Sequence, residues 1–221
     1  MQRFAPNLAV LPAAQRRLWP ELRSIPDEFT LYGGTAIALQ LGHRSPTDFD
    51  FFGFPLTDVA ALERRLPFLT GSRIVERTER RLTVIVDRGA PVTVSLVAVR
   101  RLPRFAPPVM ADDNGLKVAS LLDVAGTKAM ILQVRVAPQD YIDVDALIRM
   151  GGITLSSALA AARKLYGKSF NPDLTLKALS SFEEPDLQGL PDDLRLRLAD
   201  AARHVDLDRL PRLAALQELL H

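Results

Sequence analysis

The first half of the chain contains several short apolar runs of the kind that form strands. Residues 29–32, 73–76, 82–86 and 92–99 are rich in β-branched, aromatic and aliphatic side chains, and residues 48–51 alternate strictly between aspartate and phenylalanine. A period of two places successive side chains on opposite faces of a strand. We therefore predict five strands here, one of which has a polar face and an apolar face.

Segments with leucine and alanine at helical spacing separate these runs. They predict helices over 11–23, 35–41 and 59–66, and Pro20 is expected to kink the first helix or to start a new one. Residues 87–91 place aspartate, glycine and proline between two predicted strands. This composition is typical of a hairpin turn.

The second half of the chain has a different pattern. From residue 120 onwards the hydrophobic residues follow a helical period, which glycine, asparagine and proline interrupt near 151, 171 and 191. Amphipathic helices are predicted at the end of the chain, over 193–205 and 210–220. We expect their apolar faces to pack into a core.

This change of pattern predicts two domains. An α/β domain is expected over 1–115 and a helical domain over 116–221. Since no long flexible linker lies between them, we expect the two to pack as one unit.

The composition is that of a folded globular protein. The 221 residues are 48% hydrophobic and 24% charged, with 12 glycines and 16 prolines, which excludes disordered, collagen-like and coiled-coil chains. No uncharged stretch approaches the roughly 18 residues of a membrane helix. Residues 1–6 lack the apolar core of a signal peptide, and cysteine is absent. We expect a cytoplasmic protein with no membrane partner, no disulfides and no thiolate metal site.

The net charge is small, but the arginines are clustered. A formal charge of +2 gives no large basic field. Arginines group at 16–17, 64–65, 77–81 and 100–104, and the planar guanidinium group is suited to phosphate. Two interpretations are open: arginine on a solvated surface, or contact with a nucleotide or nucleic acid.

A glycine pair followed by an acidic pair carries the clearest chemistry. A predicted strand stops at Gly33 and Gly34, Thr35 opens a helix, and thirteen residues after Thr35 the chain returns as the strand with Asp48 and Asp50. Glycines at the start of a helix expose backbone N–H groups that a phosphate can approach closely. We predict that Gly33, Gly34 and Thr35 bind phosphate groups of a nucleotide.

The acidic pair predicts a metal site. Asp48 and Asp50 are two residues apart on one strand, so both carboxylates project from the same face. Two carboxylates this close repel each other unless a cation lies between them, and hard divalent ions such as Mg²⁺ or Mn²⁺ prefer oxygen ligands. Phe49 and Phe51 are expected to bury the opposite face and to hold the strand rigid.

The order of these elements resembles a known signature. A glycine element followed by Asp-x-Asp on a strand is similar to the polymerase-β nucleotidyltransferase superfamily. Residues 33–45 leading into 48–52 are similar to the AbiEii/AbiGii family of abortive-infection nucleotidyltransferases, the toxin components of bacterial toxin–antitoxin systems. The resemblance covers residues 32–147. It implies an α/β nucleotidyltransferase lobe with a mixed sheet, followed by a helical lobe.

A second block resembles the later motifs of the same family. It contains Lys128 on one predicted helix and Asp140 and Asp143 on the next, and Arg135 lies seven residues after the lysine on the same helical face. By resemblance, Lys128 neutralises the triphosphate, while Asp140 or Asp143 orients the lysine or helps as a base. A structural interpretation is also open, in which these residues form salt bridges that fix how the two helices cross.

One position departs from the superfamily pattern. The superfamily usually has a third carboxylate on a later strand, and Ser95 stands at that place in the strand over 92–97. A serine hydroxyl is a poor metal ligand and is no base at neutral pH. Asp87, Asp140 and Asp143 are candidates to replace the missing acid.

The resemblance implies a Mg²⁺-dependent or Mn²⁺-dependent nucleotidyltransferase. It would transfer a nucleoside monophosphate from a nucleoside triphosphate to an RNA end such as tRNA, or to a protein hydroxyl, with a cognate antitoxin as partner. Arg44, four residues before Asp48, is a candidate phosphate clamp. The missing third acid leaves an alternative, in which a module of the same fold binds a nucleotide or a partner without catalysis.

Overall fold

The computed structural model describes residues 1–53, 62, 64–99 and 104–214. The chain divides into two compact units. The first is Met1–Leu102 with Pro107–Ala119, and the second is Pro103–Ala106 with Ser120–His221. The main division falls after residue 119, four residues beyond the predicted boundary at 115.

The first unit is built on one mixed sheet. Its strands are β1 Arg3–Phe4, β2 Phe29–Tyr32, β3 Asp48–Gly53, β4 Arg73–Arg77, β5 Arg81–Asp87, β6 Pro91–Ala98, β7 Val109–Ala111 and β8 Lys117–Val118. They lie in the order β1-β7-β8-β2-β3-β6-β5-β4. β3 is antiparallel to β2 and parallel to β6, and β5 and β6 form the predicted hairpin. The α/β class and the five predicted strands are confirmed.

Three short strands, β1, β7 and β8, were not predicted. They contain two or three residues each. A strand this short cannot show a period of two, so hydrophobic alternation gives no signal for it.

Two α-helices are described in the first unit: α1 Ala13–Leu18 and α2 Gly33–Leu41. α1 runs into a 3-10 helix, Trp19–Ser24, with Pro20 in its first turn. Pro20 therefore starts a new helix, as one of the two predictions had it, because proline cannot donate the backbone hydrogen bond that would continue α1. Of the helix predicted over 59–66, only residues 62 and 64–66 lie within the described part of the chain.

One face of the sheet carries the core of the first unit. Phe49 and Phe51 of β3 have no exposed surface, and neither have Val94 and Leu96 of β6. Trp19, which is 1% exposed, stacks on Phe49 with 6.2 Å between ring centroids. This apolar packing holds β3 from behind and leaves its other face for the two aspartates.

The second unit contains five α-helices among the described residues. They are α3 Leu121–Val134, α4 Pro138–Arg149, α5 Leu155–Tyr166, α6 Pro172–Ser180 and α7 Asp192–Arg203. The side chains of Ser120, Thr154 and Asn171 accept hydrogen bonds from the first turns of α3, α5 and α6. The predicted interruptions near 151, 171 and 191 are confirmed as helix boundaries.

The two closing helices have different outcomes. The helix predicted over 193–205 is confirmed as α7. Of the helix predicted over 210–220, residues 210–214 are described and are not helical, which corrects its start. Within the part of the chain that the structure describes, no helix is long and apolar enough to cross a membrane.

Candidate functional site

The two aspartates of β3 share the polar face of the strand. Asp48 and Asp50 are partly exposed, whereas Phe49 and Phe51 between and beyond them are fully buried. Residues two apart on a strand are separated by about 6.6 Å along it. The predicted alternation is thus confirmed, and both carboxylates project from one side of a strand that is buried on the other.

The start of α2 lies beside one of these carboxylates. Gly33 has a φ of +71°, a backbone conformation that side chains other than glycine rarely adopt. A Cβ atom at Gly33 would lie 3.5 Å from Oδ2 of Asp50. We predicted that the helix begins at Thr35, but it begins at Gly33. Gly33 and Gly34 therefore belong to its first turn. Their N–H groups are among the first four of a helix, which have no partner within it.

Thr35 has a different role from the one that its hydroxyl suggested. Its side chain is 1% exposed and donates a hydrogen bond to the backbone carbonyl of Asp48. The hydroxyl therefore ties α2 to β3, and what Thr35 can offer a phosphate is its backbone N–H group. Together with the antiparallel β2–β3 ladder, which pairs Tyr32 with Asp50, this contact holds the glycine turn beside the acidic strand.

The strand register places Ser95 directly beside Asp50. Asp50 pairs with Ser95 in the parallel β3–β6 ladder, and Ser95 pairs with Thr83 on β5. Ser95 is 5% exposed, and its Oγ accepts a hydrogen bond from Thr83 Oγ1 at 3.4 Å. A hydroxyl pair thus occupies the row next to the carboxylate.

Asp87 does not replace the missing acid. It pairs with Pro91 at the end of the β5–β6 hairpin, four positions along β6 from Ser95, which is about 13 Å of strand. Its Oδ1 accepts a hydrogen bond from the backbone N–H of Gly89 at 2.7 Å. Asp87 therefore stabilises the hairpin turn.

Arg44, the candidate phosphate clamp, lies between α2 and β3. It follows the C-terminal end of α2, whereas Gly33 and Gly34 lie at the N-terminal end. Its Nη1 donates to the carbonyl of Ser45 at 3.1 Å. Contact between Arg44 and a phosphate stays a prediction.

Lys128 and the two predicted acidic residues form a buried cluster in the second unit. Lys128 Nζ lies 2.6 Å from Asp140 Oδ1 and 2.7 Å from Asp143 Oδ2, and its side chain is 4% exposed. Both carboxylates have no exposed surface, and Arg135 Nε lies 2.7 Å from Asp140 Oδ2. These salt bridges join α3 to α4, so the structural interpretation of the four residues is confirmed. Whether they also act on a nucleotide stays a prediction.

The charge balance of this cluster shifts the pKa of Asp140. Burial alone would raise that pKa, but the hydrogen bonds from Arg135 and Lys128 and the charge of Lys128 outweigh burial and hold it below its usual value. Asp140 therefore contributes to stability above the pKa that it has in the unfolded chain. This contribution is lost as the pH falls through the lower pKa of the folded state.

We expect Arg135→Gln to lower the free energy of unfolding at pH 7 by about 1 kcal/mol, because Arg135 donates to a charged group but is itself half exposed. The deficit should shrink as the pH falls below the ordinary pKa of aspartate and Asp140 becomes protonated. Urea unfolding across this range measures it, with the exposed Arg163 of α5 replaced by glutamine as control. A deficit that is independent of pH would contradict the assignment.

Two other buried carboxylates of the second unit were missed by sequence reasoning. Asp145 is held by Arg149 of the same helix at 2.9 Å and by Arg197 of α7 at 2.8 Å. Asp123 accepts the backbone N–H of Phe105 at 2.8 Å, and burial raises its pKa. The spacing of four between Asp145 and Arg149 was a usable signal for one of these contacts. Both carboxylates have structural partners.

Among the described residues, no group of three or more histidine, aspartate or glutamate side chains converges. The carboxylate ligands that β3 offers to a metal ion are the pair Asp48 and Asp50. Oxygen donors on one rigid strand fit a hard divalent ion that keeps other coordination positions for phosphate oxygens.

Comparisons with known proteins show the family to which the chain belongs. The model of the nucleotidyl transferase AbiEii toxin family, type IV toxin–antitoxin system, matches residues 21–220. An uncharacterised protein of Aquifex aeolicus is 29% identical over 160 residues, which are 72% of this chain and 75% of that protein. The match extends well beyond the residues 32–147 on which the resemblance was first seen.

Two solved structures share the fold. One is a protein from H. pylori assigned as a nucleotidyltransferase, with a TM-score of 0.57 and 19% identity over 90% of this chain and 96% of that one. The other is MenT4, a nucleotidyltransferase toxin of Mycobacterium tuberculosis, with a TM-score of 0.61 and 16% identity over 88% of this chain and 83% of that one. At this identity the two structures establish only the fold, and the match to the family model establishes the family. The chain is a nucleotidyltransferase and belongs to the AbiEii toxin family of type IV toxin–antitoxin systems.

Proposed function

We propose that this chain transfers a nucleoside monophosphate from a nucleoside triphosphate to a hydroxyl group, with Mg²⁺ or Mn²⁺ held by Asp48 and Asp50. The acceptor oxygen forms a bond to the α-phosphorus, and the bond from that phosphorus to the bridging oxygen breaks. Pyrophosphate leaves, and the hydroxyl proton passes to a base or to water. Among the residues that we predicted for the site, Asp140 and Asp143 are the candidates for that base.

The observation that carries this proposal is the meeting of the glycine turn with the acidic strand. Gly33 comes within 3.5 Å of Asp50 Oδ2 at the position of its absent Cβ, and Thr35 holds β3 against α2. Backbone N–H groups of a kind that can bind phosphate therefore lie next to Asp50, one carboxylate of the proposed metal pair. A triphosphate with its divalent ion needs both within a few ångströms.

A divalent ion at this pair would neutralise charge on the phosphate oxygens and would favour loss of the proton from the attacking hydroxyl. The chain itself supplies orientation. β3 is fixed from behind by buried Phe49 and Phe51, so Asp48 and Asp50 are presented without rearrangement. Gly33, Gly34 and the backbone of Thr35 would hold the phosphates, and Arg44 would bind a phosphate from the loop that precedes β3.

We propose in addition that Lys128 neutralises charge on the triphosphate during transfer. Asp140 and Asp143 would then orient its ammonium group, in keeping with their contacts at 2.6 and 2.7 Å. A lysine whose ammonium is held by two carboxylates is fixed in position, which suits charge stabilisation in a transition state.

The family supports a toxin that a cognate antitoxin counteracts, and we propose this role for the chain. Two acceptors are open: an RNA end such as tRNA, and a hydroxyl group on a protein. Both provide the attacking oxygen that the reaction needs.

Labelled nucleoside triphosphates test the proposal directly. The protein is incubated with each of the four, with Mg²⁺ or Mn²⁺ and with total tRNA or a cell protein fraction, and pyrophosphate release and labelled product are measured. We expect release that requires the divalent ion and one acceptor class. Nucleotide that raises the melting temperature without any release would favour the alternative of a non-catalytic binding module, which the serine at position 95 motivates.

Ser95→Asp is expected to raise pyrophosphate release by about tenfold, because a third carboxylate beside Asp50 would complete the ligand set of the metal. Ser95→Asn is the control, since it has nearly the same shape without the charge. Asp140→Asn and Asp143→Asn should lower release if either residue now serves in place of the third acid. Robust release that none of these variants changes would show that other residues complete the site.

A further inference from the structure

Residues at the very start of the chain contact the segment that leads into β3. Asn7 donates its backbone N–H to the carbonyl of Leu39 in the last turn of α2, at 2.8 Å. Gly42, which ends α2 with a φ of +70°, packs so closely on the Asn7 side chain that a Cβ atom would collide with it. The end of α2 is thus fixed against the chain at residue 7.

Two further hydrogen bonds follow immediately before the acidic strand. Ser45 Oγ donates to the carbonyl of Val10 at 2.6 Å, and Gln15 Nε2 donates to the carbonyl of Pro46 at 3.3 Å. Gln15 is only 3% exposed, and Pro46 is buried. The two residues that are held, 45 and 46, stand three and two positions before Asp48.

A further contact reaches β3 on its buried face, opposite the two aspartates. The Trp19 ring stacks on Phe49, the residue that separates Asp48 from Asp50. The ring is fixed in turn, because its Nε1 donates to Asp113 Oδ2 at 2.7 Å. Phe49 therefore packs against a surface that cannot shift freely.

All of these contacts come from residues that precede the region matched by the family model, which begins at residue 21. We propose that residues 7–19, here called the N-terminal anchor, position Asp48 and Asp50 for the divalent ion. This inference rests on the proposed function, in which the two aspartates hold that ion. Gln15 and Trp19 are buried and are positioning residues, Gln15 through the loop at Pro46 and Trp19 through the Phe49 ring.

The physical argument is one of geometry. A divalent ion with few protein ligands requires both carboxylates at a set separation, and loss of a hydrogen bond behind a ligand typically weakens metal affinity roughly 10-fold or more. The two hydrogen bonds of the anchor hold the loop two and three residues before Asp48, and its packed ring holds Phe49, so their effect on metal affinity should be at the lower end of that range or below it. Weakening the anchor should therefore lower metal affinity before it lowers the stability of the fold.

Direct binding of Mn²⁺, followed by electron paramagnetic resonance of the free ion, tests this inference without using activity. We expect Ser45→Ala and Gln15→Met each to weaken Mn²⁺ binding by roughly 5–10-fold. Ser45→Thr keeps the hydroxyl and should bind close to wild type. The matched control is Ser24→Ala, which also removes a serine bond to a backbone carbonyl, at 2.8 Å, but one to Glu21 and not to or from the loop before β3.

The outcomes separate the inference from the proposed function on which it rests. Equal Mn²⁺ binding by wild type and Asp50→Ala would overturn the metal site itself. Loss in Asp50→Ala with unchanged affinity in Ser45→Ala and Gln15→Met would overturn the anchor alone. The same loss in Ser24→Ala as in Ser45→Ala, at equal melting temperatures, would mean that general loosening is responsible, and would overturn it as well.

Discussion

Replacement of Asp50 by alanine is expected to reduce nucleotidyl transfer by about 10³-fold, because a bound divalent ion contributes several kcal/mol of charge stabilisation and each 1.4 kcal/mol is a factor of ten in rate. Asp48→Ala should have an effect of the same order, since both carboxylates project from one face of β3. Divalent-ion-dependent nucleotide binding, measured by calorimetry, should be lost together with transfer.

The fold should survive these substitutions. Asp48 and Asp50 are partly exposed, and removing one of two adjacent carboxylates relieves their repulsion in the absence of a cation. The variants are therefore expected to unfold cooperatively and to keep a melting temperature close to that of wild type. Asp27→Ala is the control for loss of a carboxylate, because its side chain is 91% exposed. Unchanged affinity for nucleotide and Mg²⁺ in either β3 variant would refute the site.

Lys128→Met is expected to lower the free energy of unfolding by about 3–5 kcal/mol, the usual cost of removing one partner from a buried ion pair. Asp143 has no exposed surface and would lose the ammonium group 2.7 Å away. Asp140 would keep its contact with Arg135 at 2.7 Å. Urea unfolding measures the change. A loss below 1 kcal/mol would show that the cluster is not the buried ion network described above.

A double variant separates the structural role of Lys128 from a catalytic one. Lys128→Met combined with Asp143→Leu removes one buried charge of each sign and should recover most of the lost stability, because an apolar pair often replaces a buried salt bridge without cost. If Lys128 acts on the triphosphate, the folded double variant stays inactive. Asp143→Asn alone leaves Lys128 paired with Asp140, and its rate of transfer measures the contribution of the Asp143 carboxylate to the reaction.

Full transfer by the folded double variant would remove Lys128 from the reaction and leave only its structural role. A double variant that is no more stable than Lys128→Met would instead show that the packing around Asp143 cannot accept leucine. In that case Asp143→Ala in place of Asp143→Leu makes the same comparison with a smaller side chain.

The amino-acid sequence by itself determined the elements of the candidate site. The period of two over residues 48–51 predicted a strand with two carboxylates on one face, because side-chain direction on a strand depends only on neighbouring residues. The glycine pair before a helical run predicted the turn at Gly33 for the same local reason. Helical spacing also placed Asp140 and Asp143 on one face of their helix, and it left salt bridges with Lys128 as one of two interpretations.

The tertiary structure decided which of these elements meet. Thr35 was predicted to face a phosphate, but its hydroxyl is buried against the carbonyl of Asp48, a contact that exists only once α2 folds back on β3. Asp87 was a candidate for the third acid, and the β5–β6 register removes it to the end of the hairpin. The register that sets Ser95 beside Asp50 joins β3 and β6, which are distant along the chain, so no local period contains it.

The contacts of the N-terminal anchor were likewise invisible in the sequence. Gln15 and Ser45 carry no pattern that links residues 7–19 to the loop before β3, because a hydrogen bond between positions about thirty apart depends on where the backbone brings them. Burial also has this long-range origin: Lys128 loses its solvent only when α3 and α4 pack together. Local periodicity thus specified the strands, the helices and the acidic face, while long-range packing and desolvation decided how each polar group is paired.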